Sequence, residues 1–200
     1  MRSERFAVQA SVARHHNVQA AVVGIAVSQD FEIISSSRDT NTRYRRVVVR
    51  IRDMTRTELL AFMRSERFAV QASVARHHNV QAAVVGIAVS QDFEIIFDTL
   101  SDSRKATNLR ANPSVAFVIG STRDGTERTV QYEGVADMPS GDELRRAQEI
   151  YFEVFPDGRE RLHWKGLIHV RVKPLWIRYS NYAPQPPLVM EFDAAALRAL

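Results

Sequence analysis

Residues 97–113 read "FDTLSDSRKATNLRANP", and the reading of this stretch orders everything around it. It begins as the end of an apolar strand and becomes a short polar helix. Pro113 stops that helix, because the residue before a proline is pushed out of helical geometry. Thr99 falls at the strand end and Ser103 at the helix start. Arg104 and Lys105 follow in the first helical turn, where cations oppose the macrodipole and acids would serve stability better. Helix N–H groups, two hydroxyls and two cations in one corner suit a bound dianionic phosphate. The alternative is a solvated helix start, with Asp98 or Asp102 pairing the cations locally.

Upstream, "MTRTELLAFMRSE" (54–66) predicts a helix. Thr55 and Glu58 have the spacing of a capping box, and Leu59, Leu60 and Met63 form an apolar stripe. "RFAVQASVA" (67–75) alternates, grouping Phe68, Val70, Ala72 and Val74 on one face of a strand. After the turn "RHHNVQ" (76–81), "AAVVGIAVS" (82–90) is apolar on both faces, as in a strand buried between a core and another surface. "SQD" leads into "FEIIFDTL" (93–100), with Phe93, Ile95 and Phe97 inward.

Downstream, the strands "SVAFVIG" (114–120) and "RTVQYEGVADM" (128–138) flank the polar turn "STRDGTE". "SGDELRRAQEIYFEVF" (140–155) predicts a second helix, with Ser140 and Glu143 as another capping box. Leu144, Ala147, Tyr151 and Val154 line one face of it. "LIHVRVKPLWIRYSNY" (167–182) is a long strand bent at Pro174, and the tail beyond it is expected to be loosely attached. Strands joined mostly by short turns, with few helices, predict a mainly β fold: a compact barrel with helices outside.

Residues 1–34 recur without a mismatch as 63–96. Solenoid repeats drift in sequence and stack in larger numbers, so two identical partial copies are not an architecture. The second copy has a capped helix before it and the strand–helix corner after it. The first runs into "SSSRDTNTRYRR" and lacks both flanks, and a β segment without partners cannot satisfy its backbone. The second copy is therefore expected in the fold, with 1–53 outside the core.

The charge divides the same way. Of 27 Lys+Arg and 23 Asp+Glu, residues 1–53 hold 9 and 5, so the net charge of +4 lies there and the remaining 18 and 18 cancel. The basic stretch "RDTNTRYRRVVVRIR" (38–52) could meet a phosphate backbone, but a solvated charged segment is the expectation, with no nucleic-acid partner. Without cysteine there is no disulfide framework, thiolate metal site or cysteine nucleophile. The longest apolar run, 82–89, is too short to span a bilayer, and the opening residues carry no secretory apolar region. A cytoplasmic protein without a membrane partner is expected.

Other motifs are weaker. His77–His78, duplicated as His15–His16, place adjacent imidazoles in a turn where they point apart, without a third ligand, so no metal site is expected. His169, Trp176 and Arg178 read as strand residues, and His163 lies before the last strand. Asp142 and Glu143 read as charge at a helix N-terminus. No Ser-His-Asp order, Walker loop or GxGxxG is present, and no catalytic residue is assigned.

The order strand, Phe-x-Thr, Ser-Arg-Lys, short helix, Asn-Pro, apolar strand resembles the pyridoxamine 5′-phosphate oxidase-like family of FMN-binding split barrels. "TVQYEGVADM", "WIRYSNY" and "PPLVMEF" are similar to its less characterised members. The resemblance covers residues 54–192, leaving 193–200 as a tail. It implies a six-stranded split β-barrel of Greek-key type with flanking short helices. It also implies an FMN whose phosphate meets Thr99, Ser103, Arg104 and Lys105, and a homodimer with the flavin in the groove between subunits, flanked by strand 82–89. The implied activity is a flavin-dependent oxidoreduction of an unidentified small molecule. The alternative is a non-catalytic flavin or deazaflavin (F420) binding protein.

This chain departs from the oxidases themselves at several points. They carry an Arg and a Lys where "AVVGIA" (83–88) stands, an aromatic residue at the place of Asp98, and a Gln at the place of Thr129. Their C-terminal Arg-x-His pattern is absent. The resemblance thus implies flavin binding rather than pyridoxamine phosphate oxidation.

Overall fold

The computed structural model describes residues 32–35, 47–50, 54–121 and 127–200. The chain divides into two units, Met1–Asp53 and Met54–Leu200. In the first, strand β1 (Glu32–Ser35) pairs antiparallel with β2 (Val47–Arg50), Ile34 opposite Val48. The end of the first copy thus finds a partner in the Val-rich run that follows it, a pairing the sequence reading does not foresee. The rest of that copy with His15–His16, the remainder of the basic stretch 38–52, and the turn at 122–126 lie outside the described residues.

The second unit opens with helix α1 (Arg56–Ser65). Its capping box forms as expected: the Glu58 N–H donates to the Thr55 hydroxyl at 3.2 Å, and the Thr55 N–H donates to the Glu58 carboxylate at 2.9 Å. Leu59, Leu60 and Met63 are buried. Strand β3 (Phe68–Val74) turns through a 3-10 segment, Arg76–His78, into β4 (Val80–Gly86). The short β5 (Ala88–Val89) and then β6 (Ile95–Leu100) follow, and α2 (Arg104–Ala111) stands between β6 and β7 (Ser114–Ser121). Strand β8 (Arg128–Asp137), helix α3 (Gly141–Val154), a 3-10 segment at Pro156–His163, β9 (Leu167–Asn181), β10 (Leu188–Asp193) and helix α4 (Ala194–Ala199) complete the unit.

Strands β3 to β10 form one antiparallel sheet, in the order β4-β3-β7-β8-β9-β6-β5, with β10 also on β9. β9 is long enough to serve both: its first half pairs with β6 (Asp98 opposite His169) and its second half with β10 (Phe192 opposite Ile177). Changing partners requires a bend, and a register shift at Glu133/Gly134 in β8 supplies it opposite Pro174. Only glycine fits at 134, because a Cβ there would lie 2.5 Å from the Lys173 carbonyl oxygen. The sheet so curled is the half-barrel of a split β-barrel. It has eight strands rather than six, because β5 is a separate short strand and β10 is an addition.

The barrel interior is filled by α1, by Phe93 in the turn that leads into β6, and by inward residues of the strands, among them Ile95, Phe97, Phe117, Tyr132 and Ile177. Each such side chain contributes roughly 1.5–3 kcal/mol by leaving water. A smaller cluster lies on the other face of β6, where Ile96 and Ala88 meet Ala147, Tyr151, Phe152 and Phe155.

Four expectations are corrected. The alternation of β3 is real, but its polar side faces in: Ala69, Gln71 and Ser73 are buried while Phe68 and Val70 are exposed. The run 82–90 is not one doubly buried strand, since Ala82, Ala83 and Val84 are exposed on the free edge strand β4 and burial begins only at Val85. The tail is not loose, because β10 adds to the sheet and Phe192 and Leu197 join the main core. The Ser140–Glu143 capping box also does not form, as Ser140 makes no side-chain cap bond.

Candidate cofactor-binding site

The inner face of β6 carries Ile95 and Phe97 into the core and ends at Thr99, so the strand delivers that hydroxyl to the barrel rim. Ser103 then caps α2, accepting from the Ala106 N–H at 3.1 Å, and its hydroxyl lies 3.0 Å from that of Thr99. Two hydroxyls sharing one mutual bond keep one proton to offer elsewhere. With Ala106 capped, the N–H groups of Arg104 and Lys105 have no acceptor in the helix, as expected of its first turn. Arg110 donates to the Ser101 carbonyl at 2.6 Å and so clasps the turn between strand and helix.

Arg104 is exposed, and it has no hydrogen bond or ion pair among the described residues. Lys105 is half-buried, with Nζ 5.8 Å from the centre of the Phe97 ring. Burial pushes its amine below the usual lysine value, and the field of Asp98 opposes that shift. Local pairing of these cations by Asp98, the alternative reading of the sequence, does not form. The Asp98 carboxylate is taken by Arg161 at 3.0 Å and by the Tyr151 hydroxyl at 3.0 Å.

Ser103, Arg104 and Lys105 line one side of a cavity of about 310 Å³, and Gln71, Ser73, Gln81, Ala82 and Ala83 line the other. Three of the four residues singled out in the sequence therefore meet at the cavity, and Thr99 reaches it through Ser103. The opposite wall was not legible as a site. Asn108, on the second turn of α2, donates to the Ser73 hydroxyl at 3.2 Å and to the Gln81 amide oxygen at 3.1 Å. This leaves the Ser73 proton unspent. Gln71 is 1% exposed, and its Nε2 has no partner among the described residues. A buried amide donor left unpaired costs about 1–3 kcal/mol. The signal available in the sequence was that neither face of "FAVQASV" carries a charge, so the polar face had no claim on solvent.

The wall is rich in donors: two cations, hydroxyl protons from the Thr99–Ser103 pair and from Ser73, two helix N–H groups and an orphaned carboxamide. Such a set binds an anion rich in acceptor oxygens. Lys105 in particular gains, since an anion restores the stabilisation its ammonium loses to burial.

Behind β6 lies a second polar cluster. Asp98 joins Arg161 and Tyr151, Arg161 also pairs with Asp157, and His169 is buried against the rings of Tyr151 and Phe152 at 5.4 and 5.8 Å between centroids. The other motifs carry no site. His78 and His163 are exposed, Trp176 is half-buried, Arg178 lies 3.7 Å from Glu191, and Glu143 bonds Arg171. Among the described residues no group of histidine, aspartate and glutamate side chains could hold a metal ion.

A half-barrel with a donor-lined corner between a strand and a short helix defines the class to which the chain is compared. The family profile described as pyridoxamine 5′-phosphate oxidase matches residues 55–180. The chain belongs to that family. A search of curated proteins finds no match.

Among solved structures, a heme binding protein from Mycobacterium smegmatis superposes with a TM-score of 0.63 at 14% identity, over 74% of this chain. The match spans 62% of that protein's length, less than two thirds of it. A conserved hypothetical protein from Mycobacterium tuberculosis gives 0.54 at 26% identity, over 64% of this chain and 84% of its own. A pyridoxamine 5′-phosphate oxidase-related, FMN binding protein from Nostoc punctiforme gives 0.53 at 12% identity, over 68% and 87%.

Proposed function

We propose that this protein binds FMN in the cavity beside α2, with the phosphate on Thr99, Ser103, Arg104 and Lys105, and uses it for oxidoreduction of a small molecule. The observation that carries the reading is the pair of unneutralised cations at a hydroxyl-capped helix start, facing a donor-lined cavity. The residues fit the group: every side chain they offer at that corner is a donor, as a phosphate dianion requires. Amides, hydroxyls and cations suit phosphate better than iron, so the flavin named for the Nostoc relative fits this wall better than the heme named for the mycobacterial one.

Bound flavin supplies hydride and electron transfer. The chain's own residues then have three tasks. Arg104 and Lys105 anchor the phosphate, Ser103 orients it through the N-cap, and Ala82 and Ala83 offer small side chains that let a flat ring approach the β4 backbone.

The groove for the ring would be completed by a second copy. Phe68, Val70, Val84 and Val118 lie side by side on the outer face of β3, β4 and β7, with Val70 opposite both Val84 and Val118. Val84 is 69% exposed and Phe68 59%. A contiguous apolar patch of this kind marks an association surface. The absence of cysteine fits a reducing cytoplasm, and no helix among the described residues is long and apolar enough to cross a membrane.

A carrier of flavin or deazaflavin without turnover is the second reading. It is favoured by one feature: among the described residues no carboxylate or imidazole lines the cavity.

The test is replacement of Arg104 and Lys105 together by Ala, followed by FMN titration. Loss of two charge-assisted contacts should weaken FMN roughly a hundredfold or more, with the thermal midpoint little changed. Undiminished FMN affinity would refute the assignment. Reduction of the bound flavin by a panel of small-molecule donors then separates enzyme from carrier.

A further inference from the structure

We infer that Gln71 is a ligand-contacting residue that reads the flavin beyond its phosphate, an inference resting on the cofactor reading above. Ser73 is tied to α2 by Asn108, so it belongs to the phosphate end of the cavity. Gln71 shares its face of β3 and lies two residues further along, about 7 Å away. It pairs with Ala83 of β4 on one side and Phe117 of β7 on the other, a setting without cations. Its side chain lines the same cavity, is almost wholly buried, and has an amide nitrogen that nothing in the described protein satisfies.

A strand position whose neighbours on that face include buried Ala69 and Val85 would pack better with an aliphatic residue. A carboxamide is tolerable there when a ligand oxygen completes it. Phosphate oxygens are met by the cations a pleat away, so the acceptor Gln71 serves lies on the ribityl chain or on a ring carbonyl. Both are present in riboflavin, which lacks the phosphate.

The experiment compares FMN and riboflavin by fluorescence titration in the full-length protein, in Gln71→Met and in the Arg104→Ala/Lys105→Ala variant. Gln71→Met keeps length and flexibility but removes the donor. It should weaken FMN and riboflavin by the same factor, roughly tenfold for one buried neutral hydrogen bond. The double variant should weaken FMN and leave riboflavin as it was. Should Gln71→Met not fold, Gln71→Leu is a second uncharged variant that removes the donor.

Equal binding of both ligands by Gln71→Met and by the unaltered protein would overturn the inference while leaving the cofactor reading standing. Loss confined to FMN would overturn it too, since Gln71 would then serve the phosphate. A full-length protein that binds neither ligand would remove the cofactor reading and the inference with it.

Discussion

His169 is a titratable group placed where burial disfavours its charged form. It is 3% exposed, lies edge-on to Tyr151 and Phe152, and has an unpartnered Nε2. Burial holds its imidazole below the usual histidine value, with Asp98 opposing that shift and Arg161 adding to it. The unfolded chain therefore takes up this proton first as pH falls, and unfolding is favoured. Stability from His169 is complete above about pH 6.5 and is lost as pH drops toward the depressed folded value. The urea midpoint should be lower at pH 5.5 than at pH 7.5, and His169→Leu should shrink that difference. An identical drop in both proteins would assign the effect elsewhere. Asp137, held below its ordinary value by Arg171 despite its burial, acts in a separate and more acidic window.

Elements are held by their ends as much as by their faces. Thr55 and Ser140 both precede helices with a Glu three residues on, yet only Thr55 makes the cap. Thr55→Ala should cost about 1 kcal/mol, and Ser140→Ala close to nothing, in chemical denaturation of the two variants side by side. Equal losses would mean that the caps differ less than their geometry. Instead of a box, α3 has Arg171, which donates from β9 to Asp137 at 2.6 and 3.0 Å and to Glu143 at 3.3 Å. One guanidinium thus ties strand β8, strand β9 and the start of α3. Glu143 accepts from Arg171 in this contact, and the Ser140 hydroxyl makes no cap bond.

At the scale of the whole molecule, the question is what 1–53 adds. The second unit holds its own core, its closing strand β10 and every residue of the proposed site. A chain beginning at Met54 should match the longer chain in thermal midpoint, FMN titration and oligomeric state, measured by melting, titration and analytical ultracentrifugation. Aggregation or loss of FMN would show that the duplicated segment is structural.

The sequence by itself determined helices α1 to α3, most of the strands between them and one side of the proposed site. Helix α1 with its cap, the order of strands from β6 to β9, and the Thr99–Ser103–Arg104–Lys105 corner follow from local rules: periodicity, capping and the chemistry of a helix start. Only the tertiary structure decided which face of β3 is inside, because alternation has two phases and burial chooses between them. It decided that Asp98 belongs to Arg161, 63 residues away in sequence, and so leaves Lys105 unneutralised. It also brought Gln71 and Asn108 to the cavity. Such contacts join residues with no local relation, and a strand's neighbours are set by the curl of the whole sheet.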